Sequence, residues 1–163
     1  MGGSVELVIL IGLQGAGKSS FYRARFAETH VLVSKDRLRN NRRPSRRQRQ
    51  LIEEALGAGR SVVVDNTNPT VQDRVELIEL ARRLEATVIG YYFESRLEDC
   101  LERNRLRIGK ERVPDVALLT VAKKLELPAY SEGFDRLYYV RLAGDQKFDV
   151  QEWADAPRNN ETP

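Results

Sequence analysis

Two patterns of apolar residues alternate along the chain. Short consecutive apolar runs read as strands covered on both faces, and longer stretches with apolar positions every three or four residues read as helices with one buried face. Residues 5–11 give the first strand and residues 19–26 the helix after it. Residues 30–34 predict a short second strand, and residues 48–56 a helix that stops near Gly57 and Gly59. The β-branched run at 61–65 predicts a third strand, residues 66–70 a turn, and Val71, Val75, Ile78 and Leu84 mark the next helix. Residues 87–93 read as a strand, 97–106 as a helix, 107–113 as a basic loop, 114–125 as a helix opened by Pro114, and 137–142 as the last strand. Strands separated by helices build βαβ units, so the pattern predicts an α/β fold with an open, mostly parallel sheet and helices on both faces.

Composition changes this picture little. A length of 163 residues with 41% hydrophobic content suits one domain, 1–163, with Trp153 anchoring a tail from residue 143 that turns polar from about 154. There is no apolar run long enough for a bilayer and no leader-like N-terminus, which predicts a cytoplasmic protein without a membrane partner. Cys100 and His30 are the sole residues of their types. One cysteine and one histidine exclude a disulfide or a Cys/His metal cluster within the chain, and both are read as structural.

The net charge of +3 is modest, but its placement is uneven. Arg37, Arg39, Arg42, Arg43, Arg46, Arg47 and Arg49 crowd one short segment. Arginine forks pair with phosphate oxygens, so this block suits a nucleic-acid backbone; a solvated helical face is the other reading.

The strongest chemical signal follows the first strand. Gly12-Leu13-Gln14-Gly15-Ala16-Gly17-Lys18-Ser19 is a complete G-x-x-x-x-G-K-S phosphate-binding loop between a strand and a helix. Its glycines let backbone N–H groups from Gly15 and Ala16 to Ser20 surround an anion at a helix N-terminus. Lys18 is expected at the β- and γ-phosphates of ATP, and Ser19 at Mg²⁺. Ligands of open α/β sheets bind beyond the carboxyl ends of the strands, so three further positions converge on this loop. Asp36 follows the second strand and suits a proton acceptor for an attacking hydroxyl, or a helix cap. Asp65 ends the third strand, as an acid for hydrated Mg²⁺ or an anchor for an arginine. Arg103, Arg107, Lys110 and Arg112 form a basic lid that can neutralise charge on a transferred phosphoryl group.

These residues resemble the 5′-hydroxyl polynucleotide kinases, a branch of P-loop phosphotransferases. The likeness spans most of the chain and rests on Gly12 to Ser19, Asp36-x-x-Arg39, Asp65-Asn66-Thr67-Asn68, and Arg103-Asn104-x-x-Arg107 followed by Val113-Pro114. It implies a single P-loop kinase domain with an arginine-bearing lid. It implies that Asp36 is the general base toward a 5′-OH, that Arg39 contacts substrate phosphate, and that Asp65, with Asn66 beside it, organises the acceptor. Arg103 and Arg107 then belong to the lid, with Arg107 on the donor's terminal phosphates. The block from Arg42 to Arg49 matches no motif of the family. Relatives often carry a phosphatase or ligase as well, but the chain has no D-x-D-x-T sequence and a single histidine, which predicts a kinase alone.

The resulting expectation is ATP- and Mg²⁺-dependent phosphorylation of the 5′-OH end of DNA or RNA. A kinase for a small molecule such as a nucleoside, sugar or antibiotic uses the same loop and fold. A nucleotide-dependent switch or RNA-binding module is the third reading; the chain has no N-K-x-D guanine signature, and Asp36 gives such a module no benefit.

Overall fold

In the computed structural model, which describes residues 5–144 and 147–154, every predicted apolar run is a strand. The order is β1 (Glu6–Ile11), α1 (Lys18–Arg25), β2 (Val31–Val33), α2 (Pro44–Gly57), β3 (Val62–Asp65), α3 (Val71–Arg83), β4 (Thr87–Phe93), α4 (Leu97–Arg105), α5 (Asp115–Lys124), β5 (Arg136–Leu142) and β6 (Phe148–Glu152). The strands form one sheet, β2-β3-β1-β4-β5-β6, parallel except for the antiparallel β6 at one edge. The predicted α/β class and the helices on both faces are therefore present.

β1 lies at the centre because its residues suit no other place. Leu7, Val8, Ile9, Leu10 and Ile11 are all fully buried. Leu7, Ile9 and Ile11 join Ile52 and Leu56 of α2 and Leu77, Ile78 and Ala81 of α3 on one face. Val8 and Leu10 join Phe21 of α1, Cys100 of α4 and Leu118 of α5 on the other. The chain moves to β2 and β3 on one side of β1 and then crosses to β4 and β5 on the other. The turn after β1 thus lies where the strand order reverses, the crevice in which such sheets bind ligands.

Two differences from the sequence reading have physical causes. α2 begins at Pro44, not near residue 48, because proline fits the first helical position, where its missing N–H breaks no helical bond. The segment expected as tail contains β6, whose Phe148 and Val150 pack beneath the sheet while polar residues alternate with them. Trp153 then anchors the chain as expected, against Tyr92 and Tyr139 with ring centroids 5.5 and 5.9 Å away. The rest of the expected polar tail, residues 155–163, lies outside the described residues. Among the described residues no helix is long and apolar enough to cross a membrane.

One buried ion pair ties α3 to the segment before β5. Arg74 is fully buried and forks onto Glu132, with Nε 2.8 Å from Oε1 and Nη2 3.2 Å from Oε2. Its Nη1 donates to the Asn68 carbonyl at 2.9 Å, and Glu132 also accepts from the Ala129 N–H. Each guanidinium nitrogen and each carboxylate oxygen has a partner, which lets the pair persist without water. Arg74→Met, which strands the Glu132 carboxylate, is expected to cost about 3–5 kcal/mol in urea unfolding, and adding Glu132→Gln should recover part of it. A loss below about 1 kcal/mol would show that the pair does not hold this junction.

Candidate active site

The turn between β1 and α1 has few side chains with which to fix itself, so its neighbours hold it. The Gly12 N–H donates to the Thr67 carbonyl at 3.0 Å, and the Leu13 N–H to Ser95 Oγ at 3.1 Å. Thr67 follows β3 and Ser95 follows β4, so both flanking strands grip the loop. Gly15 and Gly17 have φ of +83° and +100°, and a Cβ on Gly15 would lie 2.7 Å from the Cys100 carbonyl oxygen. Glycine is required at 15 for both reasons. The Lys18, Ser19 and Ser20 N–H groups open α1 and have no intrahelical acceptor, which leaves them for an anion. Ala16 differs from its neighbours, since its N–H turns back to the Leu13 carbonyl at 3.2 Å and its methyl is buried.

Lys18 is buried within this loop and donates from Nζ to the Gly12 and Leu13 carbonyls at 2.9 and 2.7 Å. Burial pushes its ammonium pKa down to about 8; Asp65 opposes the shift and Arg107 adds to it. A cation kept here at neutral pH is poised for a phosphate, which would return the charge compensation that water no longer gives. Ser19 Oγ donates to Asp65 Oδ2 at 2.8 Å. A hydroxyl beside a carboxylate is a hard-oxygen donor set, which fits Mg²⁺ held partly through water.

Asp36 and Arg39 stand opposite the loop on the turn after β2. That turn is a short 3₁₀ helix, Lys35–Leu38, capped by Ser34, whose Oγ accepts from the Asp36 N–H. Ser34 is therefore the cap, and the Asp36 carboxylate is left exposed, 3.7 Å from Arg39 Nη2. Asn66 links this turn to its surroundings: its Oδ1 accepts from the Lys35 N–H at 2.9 Å and its Nδ2 donates to Gln48 Oε1 at 2.7 Å. Both ends of the Asn66 amide are thus engaged within the protein, where they position the Asp36 turn.

The lid comes from the other side. Arg103 Nη1 donates to the Gly15 carbonyl at 2.8 Å, and Arg107 lies between the loop and the cleft with Nη1 3.3 Å from the Glu111 carbonyl. The fully buried Asn104 joins the ends of the lid loop, donating to the Val113 carbonyl at 2.6 Å and accepting from the Val113 N–H at 3.0 Å. Arg112 is exposed, and the Lys110 side chain lies outside the described residues.

A single cleft of about 1700 Å³ gathers Lys18, Ser19, Asp36, Arg39, Asp65 and Arg107. Gly15 and Gly17 also line a second hollow with Ser20, Arg103, Arg107 and Leu142. Sequence reasoning missed Gln48, Ser95 and Arg74, and quoted Asn68 only within a motif, with no role assigned. Gln48 and Arg74 had a visible signal, since each is a polar residue on the stripe of its helix that is otherwise apolar: Gln48 above Ile52 and Ala55, Arg74 above Leu77, Ile78 and Ala81.

The profile of the AAA domain family matches residues 7–128. The chain is 29% identical over 139 residues to a bifunctional polynucleotide phosphatase/kinase of Schizosaccharomyces pombe, covering 83% of this chain and 33% of that one. It is 26% identical over 161 residues to an L-seryl-tRNA(Sec) kinase of Methanococcus maripaludis, covering 90% of this chain and 62% of the other. A gluconokinase from Sinorhizobium meliloti superposes with a TM-score of 0.63 at 24% identity, over 86% of this chain and 85% of that one. The chain spans about a third of the length of the polynucleotide phosphatase/kinase relatives it matches. The resemblance drawn from the motifs is borne out by these relatives.

The buried lysine makes stability depend on pH. With the folded pKa near 8 and the ordinary value at 10.5, the unfolded chain binds more protons between them, so stability rises with pH across that window. Below pH 8 the desolvation cost is fully present. In urea unfolding, wild type is expected to gain on Lys18→Met by roughly 1–3 kcal/mol between pH 7 and 10. A difference that stays level over this range would remove burial as the cause.

Proposed function

This chain belongs to the AAA domain family, and we propose that it is a P-loop kinase that transfers the γ-phosphate of ATP to the 5′-hydroxyl end of a DNA or RNA strand. One observation carries the proposal. The exposed Asp36 carboxylate and the Arg39 guanidinium share one cleft with Lys18, Ser19 and Asp65. A proton acceptor and a phosphate-binding group therefore stand together, facing the place where a nucleotide's phosphates would lie. The polynucleotide phosphatase/kinase relatives support a strand end as the acceptor.

In this reading the loop N–H groups and Lys18 hold the donor's phosphates, while Arg103 and Arg107 close over them. Ser19 and Asp65 would hold Mg²⁺, which supplies charge neutralisation on the phosphate oxygens when bound. Asp36 accepts the proton of the 5′-hydroxyl as its oxygen attacks the γ-phosphorus, and the bond from that phosphorus to the bridging oxygen of ADP breaks in line. Arg39 leaves its pairing with Asp36 to grip the phosphate on the 3′ side of the accepting nucleoside. That exchange is inexpensive because the pair is solvent-exposed. Lys18 and Arg107 stabilise the charge that spreads over the phosphoryl group in transit. The chain acts in this proposal as one kinase domain.

The L-seryl-tRNA(Sec) kinase relative supports a second reading, in which the hydroxyl belongs to another acceptor. A panel separates the two: 5′-OH oligonucleotides of both sugar types, nucleoside 3′-monophosphates, free nucleosides, sugars and seryl-tRNA, each with labelled ATP. Asp36→Asn is expected to keep ATP binding and lose transfer by about 10²–10⁴-fold. Arg39→Ala should lower kcat/KM most for acceptors that carry the adjacent phosphate, with little effect on ATP. Free nucleosides or sugars phosphorylated as well as oligonucleotides, with Arg39→Ala affecting all equally, would replace this reading with a small-molecule kinase.

A further inference from the structure

The cleft does not end at Arg39. It continues between α2 and α3, with Arg46 and Arg49 on the α2 wall. On α3, positions 72, 76, 79 and 83 face it, a spacing of four, three and four that defines one helical stripe. Arg83 at the bottom of this stripe pairs with Glu53 of α2 at 3.2 Å, which closes the far end of the groove. The groove therefore opens at the acceptor site and runs down between two helices to a salt bridge.

The structure divides the basic block that matched no family motif. Arg47 turns to the outside of α2, where it meets Gln50 at 3.4 Å and Glu54 at 3.9 Å. Arg42 and Arg43 are exposed and do not line the cleft. Arg46 and Arg49 do line it, and neither forms an ion pair among the described residues. They stand three apart on one helix, about 4.5 Å along its axis, where like charges repel unless an anion lies between or beside them. The opposite wall is acidic, with Glu76 and Glu79.

We propose that Arg46 and Arg49 bind the phosphates that follow the one at Arg39, making the α2–α3 groove a track for the first few nucleotides of a single strand. This rests on the polynucleotide reading above. A groove with one basic and one acidic wall suits a single backbone. Phosphates run along α2, and the carboxylates of α3 accept from hydroxyl or amino groups on the strand's other edge. A duplex carries phosphates on both flanks and would bring one set against Glu76 and Glu79.

The test uses the full chain with Mg²⁺ and ATP. For each protein, kcat/KM is measured for a nucleoside 3′-monophosphate, for 5′-OH strands of two, four and eight nucleotides, and for the eight-nucleotide strand in a blunt duplex. The quantity read is the gain of the four-nucleotide strand over the mononucleotide. This ratio within one variant does not depend on the fraction folded. Wild type is expected to gain on the order of tenfold up to four nucleotides, level off, and lose the gain on the duplex. Arg46→Gln/Arg49→Gln should remove most of the gain and reduce the salt slope of strand binding by about 1.4, the release expected for two single-strand phosphates. Arg42→Gln/Arg43→Gln, which removes the same charge outside the groove, should keep the gain. A gain that survives Arg46→Gln/Arg49→Gln, or falls equally in the control, overturns the track. Transfer to the mononucleotide with no gain on lengthening overturns the track alone, whereas no transfer to any nucleotide overturns the polynucleotide reading and the track with it.

Discussion

A backbone turn in which three of six residues are glycine has to be held rigid enough to bury a lysine. The loop after β1 meets this constraint through its neighbours: the Thr67 carbonyl takes the Gly12 N–H and Ser95 Oγ takes the Leu13 N–H. These partners exist because β1 lies between β3 and β4 in the sheet. The same order brings Asp65, at the end of β3, against Ser19 at the start of α1. Sheet topology thus acts on the site directly: the end of β3 delivers Asp65 and Thr67, and the end of β4 delivers Ser95. α1 is fixed in turn by Phe21, which packs against Tyr91, Phe93 and Phe148 with centroids 5.0 to 5.2 Å apart.

The acceptor side depends on a second chain of contacts. Asn68, in a left-handed conformation at φ +44°, donates to the Leu10 carbonyl at 2.7 Å and offers its own carbonyl to Arg74. Arg74 is held by Glu132, so the turn after β3 is braced from β1, from α3 and from the segment before β5. Two residues earlier, Asn66 fixes the Asp36 turn to α2 through Gln48. The exposed Asp36 carboxylate therefore projects from a backbone whose position is set by the side-chain amides of Asn66 and the buried Gln48. A group that must meet a changing substrate can be mobile only in its last bonds if its reach is to stay accurate.

This division explains what was legible in the sequence. The five parallel strands, the phosphate loop and the residues after β2 and β3 were readable because consecutive apolar runs, glycine spacing and strand-end position are local signals. β6 was not, because its alternation is weak and its partner, β5, is what makes it a strand. The start of α2 lies four residues earlier than the apolar periodicity indicates because residues 44–47 carry no apolar stripe, while Pro44 at the first helical position is a start signal. Gln48, Asn68 and Arg74 hold the site through contacts 6 to 58 residues away in sequence. Asn68 stood in the motif that follows β3, and only the breaks that Gln48 and Arg74 make in apolar stripes pointed to the other two.

The arginines complete the argument, because their partners sort them by role better than their number does. Arg74 and Arg103 donate to main-chain carbonyls, of Asn68 and Gly15, and so belong to the architecture that shapes the two sides of the cleft. A guanidinium bound to a carbonyl keeps its charge while contributing a fixed direction, so Arg103 can brace the loop and still present positive potential to it. Arg39, Arg46 and Arg49 project from α2 and the turn before it, toward solvent and along one wall. Overall charge hides this arrangement, because Glu76 and Glu79 face them across the same cleft. A nearly neutral protein can thus carry a strongly directional field where a substrate enters, and it is that local asymmetry, rather than the net charge of +3, that suits an anionic acceptor.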